Sequence, residues 1–225
     1  MCRALGIFVL LLFAVTTLKA DPVVLTGGTL VFNANQTNPF TLTGQGTVIN
    51  GFNSSLQIVE GSSHTVNGGQ TITGLRLGGL DGQDGELGVF FPVTVAGITY
   101  SSGNVILLQL HPDEIAPFVV PGAASGFVLT APLTMTGGIR GFNGPGFNNE
   151  FFFNTLSALG TQTLTFRICN GCSPDRTVFI LDSWVLTIGP TVQGVTVQSV
   201  PEPSSVLLLM TSVAALPWLK RRIRR

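Results

Sequence analysis

The chain has 225 residues, of which 44% are hydrophobic and only 10% charged, and its eleven Lys and Arg balance its eleven Asp and Glu. That balance is uneven along the sequence: from Asp21 to Val200 four arginines (Arg76, Arg140, Arg167, Arg176) face ten carboxylates, a net charge of −6 without a single lysine. Such a body has no basic footprint to neutralise phosphates, which excludes nucleic acid as a partner and disfavours anionic lipid surfaces.

At the start, Arg3 supplies a short positive region, residues 4–15 an apolar run, and Leu18-Lys19-Ala20 a small residue before Asp21-Pro22. This is the pattern of a secretory signal peptide over residues 1–20, a short helix delivered to the Sec translocon and removed by signal peptidase. The competing reading, an uncleaved anchor, suffers from an apolar run well short of the ~20 residues a span needs.

In the body, residues 163–168 alternate cleanly, with Leu164, Phe166 and Ile168 on one face and Thr163, Thr165 and Arg167 on the other. Period-two alternation of this kind marks a half-buried strand. In chain order the pattern predicts strands at 30–32, 40–43, 56–59, 71–77, 93–100, 105–110, 127–130, 163–168, 177–188 and 192–197. Turn signals punctuate them at Asn50-Gly51, Asn67-Gly68-Gly69, Gly78-Gly79, Ser102-Gly103-Asn104, Pro121-Gly122 and Gly144-Pro145-Gly146. No amphipathic helical window interrupts the series, and all but one of the 28 glycines fall within it. Roughly 180 residues suffice for one domain with a real core. The expectation is therefore an all-β body over residues 21–199, a single antiparallel β-sandwich, open to a jelly-roll-like arrangement. A faint echo, Thr41-Leu42-Thr43-Gly44 before Gly51-Phe52-Asn53 and Thr134-Met135-Thr136-Gly137 before Gly141-Phe142-Asn143, reads either as duplication or as shared strand-turn chemistry.

Cys169-Asn170-Gly171-Cys172 is the sharpest local feature, because Cys2 leaves with the signal peptide and these two thiols remain. Asn-Gly favours a two-residue hairpin whose flanking residues face each other at about 5.5 Å, within reach of a disulfide. A disulfide at a hairpin tip is expected. A redox pair would want the first cysteine at a helix N-terminus, and zinc would need two more ligands when His64 and His111 are the only histidines. Asp81, Asp84 and Glu86 share one Gly-rich loop and are candidate calcium ligands, although the pattern is not an EF-hand and a solvated turn is the plainer reading. No other cofactor is expected.

His111-Pro112-Asp113-Glu114 holds an acid-base pair but reads first as a turn, and no G-x-S-x-G elbow accompanies His64. No catalytic residue is assigned, and the body is expected to be non-enzymatic. A glycan-acting hydrolase using Asp113 and Glu114 is one alternative, and a glycan- or calcium-dependent binding module another. Tyr100 and Trp184 are the only Tyr and Trp of the body; Trp184 sits in an apolar run and reads as core, and the phenylalanines read as packing.

Beyond the body come Val200-Pro201-Glu202-Pro203-Ser204-Ser205, an apolar run over residues 206–219, and a basic end carrying Lys220, Arg221, Arg222, Arg224 and Arg225. The prolines keep the joint extended and out of helix or sheet. Fourteen helical residues reach about 21 Å against a hydrocarbon core of ~30 Å, a short transmembrane helix suited to transient anchoring. Its cationic end stops on the cytoplasmic side. The arrangement resembles the PEP-CTERM sorting signal of Gram-negative bacteria, over residues 200–225 with the signal peptide at the other end; the Pro217-Trp218 pair departs from the usual helix. The resemblance implies recognition of Pro201, Glu202 and Pro203 by an exosortase, a membrane cysteine transpeptidase that releases or re-attaches the body. It also implies a transient stay in the inner membrane, then a cell-surface or extracellular setting associated with exopolysaccharide and biofilm. A simple tail anchor with a Pro-rich stalk is the plainer alternative.

Overall fold

The computed structural model describes residues 22–33, 39–53, 65–75, 77, 87–101, 104–122, 124–143, 149–173 and 176–200. His64, Asp81, Asp84, Glu86, the expected sorting motif Pro201, Glu202 and Pro203, the basic end from Lys220 and the two segments expected to be terminal helices lie outside the described residues. Among the described residues there is no helix, and the strands are β1 Val23–Leu25, β2 Gly27–Asn33, β3 Pro39–Gly44, β4 Thr47–Asn53, β5 Thr65–Asn67, β6 Thr71–Ile72, β7 Leu87–Val95, β8 Ile98–Tyr100, β9 Asn104–Pro112, β10 Phe118–Val119, β11 Gly126–Asn143, β12 Glu150–Ile168, β13 Val178–Ile188 and β14 Thr196–Val200.

The body is all-β and dominated by one curled antiparallel sheet. Its pairings run β12-β11-β9-β7-β4-β3-β2-β13, and β13 pairs with β12 again, so the sheet closes on itself with every step of that circuit antiparallel. Taken round the circuit, these strands follow one another in chain order, apart from the short β5, β6, β8 and β10. That is a meander, whose neighbours are joined locally, and it differs from the Greek-key crossings of a jelly roll. A separate pair, β6 with β10, and an isolated bridge between Leu75 and Ile115 lie beside it.

The framework is the ribbon of β11 and β12, 18 and 19 residues long and paired from Gly126 with Arg167 to Phe142 with Glu150. Each strand changes partner on its outer edge part-way along. β11 pairs with β14 over 126–130 and with β9 over 135–143; β12 pairs with β1, in parallel, over 156–158 and with β13 over 160–168. Pro132 falls in the gap on the β11 edge. A proline has no N–H to give to a ladder, so it fits where no partner strand asks for one. On β12 the changeover at Gly160 brings β13 so close that an added Cβ would strike the Thr187 carbonyl.

Inward residues of both halves of the ribbon join one core with Leu30, Phe32, Leu42, Ile49, Val93, Leu110, Phe179 and Trp184. Phe127 stacks on Phe166 at 4.5 Å, and Phe32 on Trp184 at 5.2 Å. Among the described residues two polar side chains are buried, Thr47, which accepts from the Ala96 N–H at 3.0 Å, and Gln162. Gln162, 2% exposed, accepts from the indole Nε1–H of Trp184 at 3.3 Å and donates through Nε2 to the Pro132 carbonyl at 3.1 Å. The carbonyl at the partner change and the tryptophan of β13 are thus tied by one amide.

Several sequence expectations differ in detail. Residues 93–100 form two strands rather than one: Ala96 and Gly97 both have positive φ, +50° and +82°, and make a two-residue hairpin turn. Residues 71–77 give only β6 and the Leu75 bridge. Asn50-Gly51, expected to turn, runs straight through β4, where Asn50 Oδ1 accepts from Thr41 Oγ1 on β3. The two echo segments straddle a hairpin in one case and share β11 in the other, so they are not duplicated units. The final strand starts at Thr196 and runs through Val200, one residue into the segment assigned to the sorting signal.

Replacing Gln162 by leucine keeps the volume but leaves the Trp184 N–H and the Pro132 carbonyl without a partner in the core. An unmet buried group costs about 1–3 kcal/mol. Urea denaturation of the Gln162→Leu variant is expected to show a loss of about 2 kcal/mol or more; a loss under about 0.5 kcal/mol would show that the amide does not tie the strands.

Candidate functional site

The ribbon's alternation turns a second set of side chains outward, and on the half shared with β9 they line a groove. Register places His111, Thr136 and Ser157 side by side across β9, β11 and β12, then Gln109, Gly138 and Thr155 in the next outward row, then Leu107, Arg140 and Phe153. A concavity of about 590 Å³ lies over these rows and is edged by Pro22. Its shape depends on a glycine: an added Cβ at Gly138 would lie 2.7 Å from the Phe153 ring, so that ring reaches across β11 only because the position has no side chain. Phe153 is 46% exposed.

Arg140 stands at the same end. Its guanidinium lies 5.1 Å from the Phe153 ring centroid, and its Nε is 3.9 Å from Glu150 Oε2. That distance is too long for a hydrogen bond, and Nε is shielded from water with no acceptor among the described residues. Gln109, His111, Thr136, Thr155 and Ser157 form no side-chain hydrogen bonds to other described residues. Elsewhere on the sheet facing polar groups satisfy each other, as Thr41 does with Asn50 at 2.9 Å and Thr94 with Thr99 at 3.0 Å. The groove therefore offers an aromatic face, a guanidinium, an imidazole, an amide and three hydroxyls.

Of the residues singled out from sequence, the structure brings His111 into this groove and leaves Asp113 and Glu114 out of its described lining. Asp113 donates its backbone N–H to the Thr134 carbonyl at 2.8 Å, and the Glu114 carboxyl packs against Gly74, towards β6. Trp184 is core, as expected. Tyr100 stacks on Phe152 at 4.2 Å and is part of the packing. The phenylalanines are mostly packing residues, as expected, with Phe153 an exception whose ring is exposed and reaches a glycine of the neighbouring strand. Among the described residues no group of three or more His, Cys, Asp or Glu is placed to hold a metal ion.

Cys169 and Cys172 are joined by a disulfide with a Cα separation of 5.6 Å. Its setting differs from the expected hairpin tip. β12 ends at Ile168, Asn170 and Gly171 form a tight turn with Gly171 at φ +88°, and β13 resumes only at Val178, where its carbonyl accepts from Cys169 N–H. The cysteines thus clasp a single turn at the head of a longer connection, and they do not bridge two paired strands.

No protein-family model, curated protein or solved structure matches this chain. No helix among the described residues is long and apolar enough to cross a membrane.

The exposed Arg140–Glu150 pair is worth little, and losing the cation-π contact costs about 0.5–1 kcal/mol, while removing an unmet buried Nε–H gains a comparable amount. Arg140→Met is therefore expected to change unfolding free energy by less than about 1 kcal/mol in urea; a loss above about 2 kcal/mol would make Arg140 a structural residue. The disulfide closes only four residues, for which chain entropy allows about 2 kcal/mol. Cys169→Ser with Cys172→Ser is expected to lower stability by no more than that, and a body that fails to fold would contradict it.

Proposed function

We propose that this is an exported, exosortase-processed protein of the cell surface or extracellular matrix, whose body is a non-catalytic, sandwich-like closed β-sheet. The observation that carries the reading is the composite at residues 200–225: Pro201, Glu202 and Pro203, an apolar run, then Lys220, Arg221, Arg222, Arg224 and Arg225. A signal-peptide pattern at residues 1–20 supplies the matching entry to the Sec translocon and signal peptidase. In this reading the protein is first held in the inner membrane by its tail and then released or re-attached outside it, in an exopolysaccharide-rich setting.

The described body is compatible with that route. β14 ends on Val200, which pairs with Gly126 of β11, and Ser125 Oγ donates to the Val200 carbonyl at 3.2 Å. The outward face is rich in Thr, Ser and Gln and the interior is apolar, the reverse of a lipid-facing barrel. A disulfide suits an oxidising compartment.

Among the alternatives, a binding module is favoured over a glycan hydrolase. Hydrolysis needs two carboxyls flanking the scissile bond, and the groove's described lining contains none. The test is the C-terminal mass of the protein in a Gram-negative host with exosortase and in a strain lacking it. Expected is truncation near Pro201 to Pro203 in the first and an intact Arg225 in the second; an intact Arg225 in both would overturn the sorting reading.

A further inference from the structure

From the groove across β9, β11 and β12 we infer a binding site for a neutral polysaccharide chain, with Phe153 as the stacking face and Gln109, Thr136, Thr155 and Ser157 as the hydrogen-bonding floor. The inference deepens the matrix reading above and rests on it only for the place where such a chain would be met.

Three observations point the same way. The concavity, about 590 Å³, is of the size that takes small ligands or a short stretch of a longer one. Its floor consists of hydroxyls and an amide that take no hydrogen bonds from neighbouring described side chains, whereas the corresponding pairs on β3 with β4 and β7 with β8 close on themselves. Groups that both donate and accept, spaced across three strands about 4.8 Å apart, suit a ligand that is itself a row of hydroxyls. The third is Phe153, 46% exposed, whose ring edge reaches the space beside Gly138 and whose ring has the Arg140 guanidinium 5.1 Å from its centroid. The C–H face of a sugar ring covers such a surface while its hydroxyl edge meets the polar floor, which a purely apolar or purely ionic ligand would not do.

Charge selects the kind of chain. Arg140 has Glu150 beside it at 3.9 Å, so the end of the groove carries little net charge, and the body as a whole stands at −6. A polyuronate or sulfated chain would meet net repulsion that grows as salt is lowered. A neutral chain meets none, and the Arg140 guanidinium, braced by the ring and the carboxylate, can donate to its ring or hydroxyl oxygens.

The purified exported protein, run by affinity gel electrophoresis through hydroxyethylcellulose, dextran or alginate at low salt, tests this directly. Expected is retardation by at least one of the two neutral glucans and none by alginate. Phe153→Ala, which removes the platform, and Ser157→Trp, which fills the groove, should each raise the dissociation constant at least about tenfold with unchanged circular dichroism. Val119→Ala on the distant β10 should leave it unaltered. Unweakened binding in both groove variants, retardation by alginate alone, or no retardation by either glucan would overturn the assignment. None of these results bears on the C-terminal mass, so the groove can fail while the delivery reading stands.

Discussion

The continuous pairing of β11 with β12 is the constraint on which the rest of the body depends. Every other main strand takes its position from one of the ribbon's two outer edges or from a strand already placed there. β14 and β9 share the β11 edge, and β1 and β13 share the β12 edge. The changes of partner allow one ribbon to serve two parts of a curled sheet. They occur where the sequence places a residue without an N–H, Pro132, and a residue without a side chain, Gly160. Gln162 then fastens the changeover by joining the Pro132 carbonyl to Trp184 of β13. A backbone feature and a buried amide thus solve the same problem, the accounting of polar groups where a ladder is interrupted.

The same ribbon makes the groove. Alternation sends Phe127, Leu129, Leu164 and Phe166 inward, and on the other half it sends Thr136, Arg140, Phe153, Thr155 and Ser157 outward beside Gln109 and His111 of β9. A site on three paired strands is held by backbone hydrogen bonds rather than by a loop, so its geometry is largely set before any ligand arrives. Two glycines in it are substitution-sensitive: a Cβ at Gly137 would strike the Gln109 carbonyl of β9, and one at Gly138 would meet the Phe153 ring.

Strand existence was legible in the sequence wherever one face of a short segment is apolar, as at 40–43, 105–110 and 177–188. Strand length was not. Gly137-Gly138 and the run Phe151-Phe152-Phe153 break the alternation of β11 and β12, so that only 127–130 and 163–168 stand out from strands more than twice as long. Pro132 also argues locally against a strand, and only the missing partner on one edge makes it acceptable. The turn at Ala96-Gly97 escaped because alanine seldom takes a positive φ. The groove was beyond reach of sequence alone: His111, Thr136 and Ser157 are remote in the chain and become neighbours only through register. Phe153 looks like any other core phenylalanine until the strand opposite it is known.

The last described strand, β14, lies along the β11 edge and pairs Val200 with Gly126. What distinguishes this architecture is that one ribbon holds both the core and the outward site. Native-state hydrogen exchange read by mass spectrometry on the purified protein tests that most directly. Expected is that the slowest-exchanging amides lie in 127–139 and 156–167, on both halves of the ribbon, with β3, β4 and β7 opening earlier. Early exchange throughout the ribbon, with the strongest protection confined to β3, β4 and β7, would contradict it.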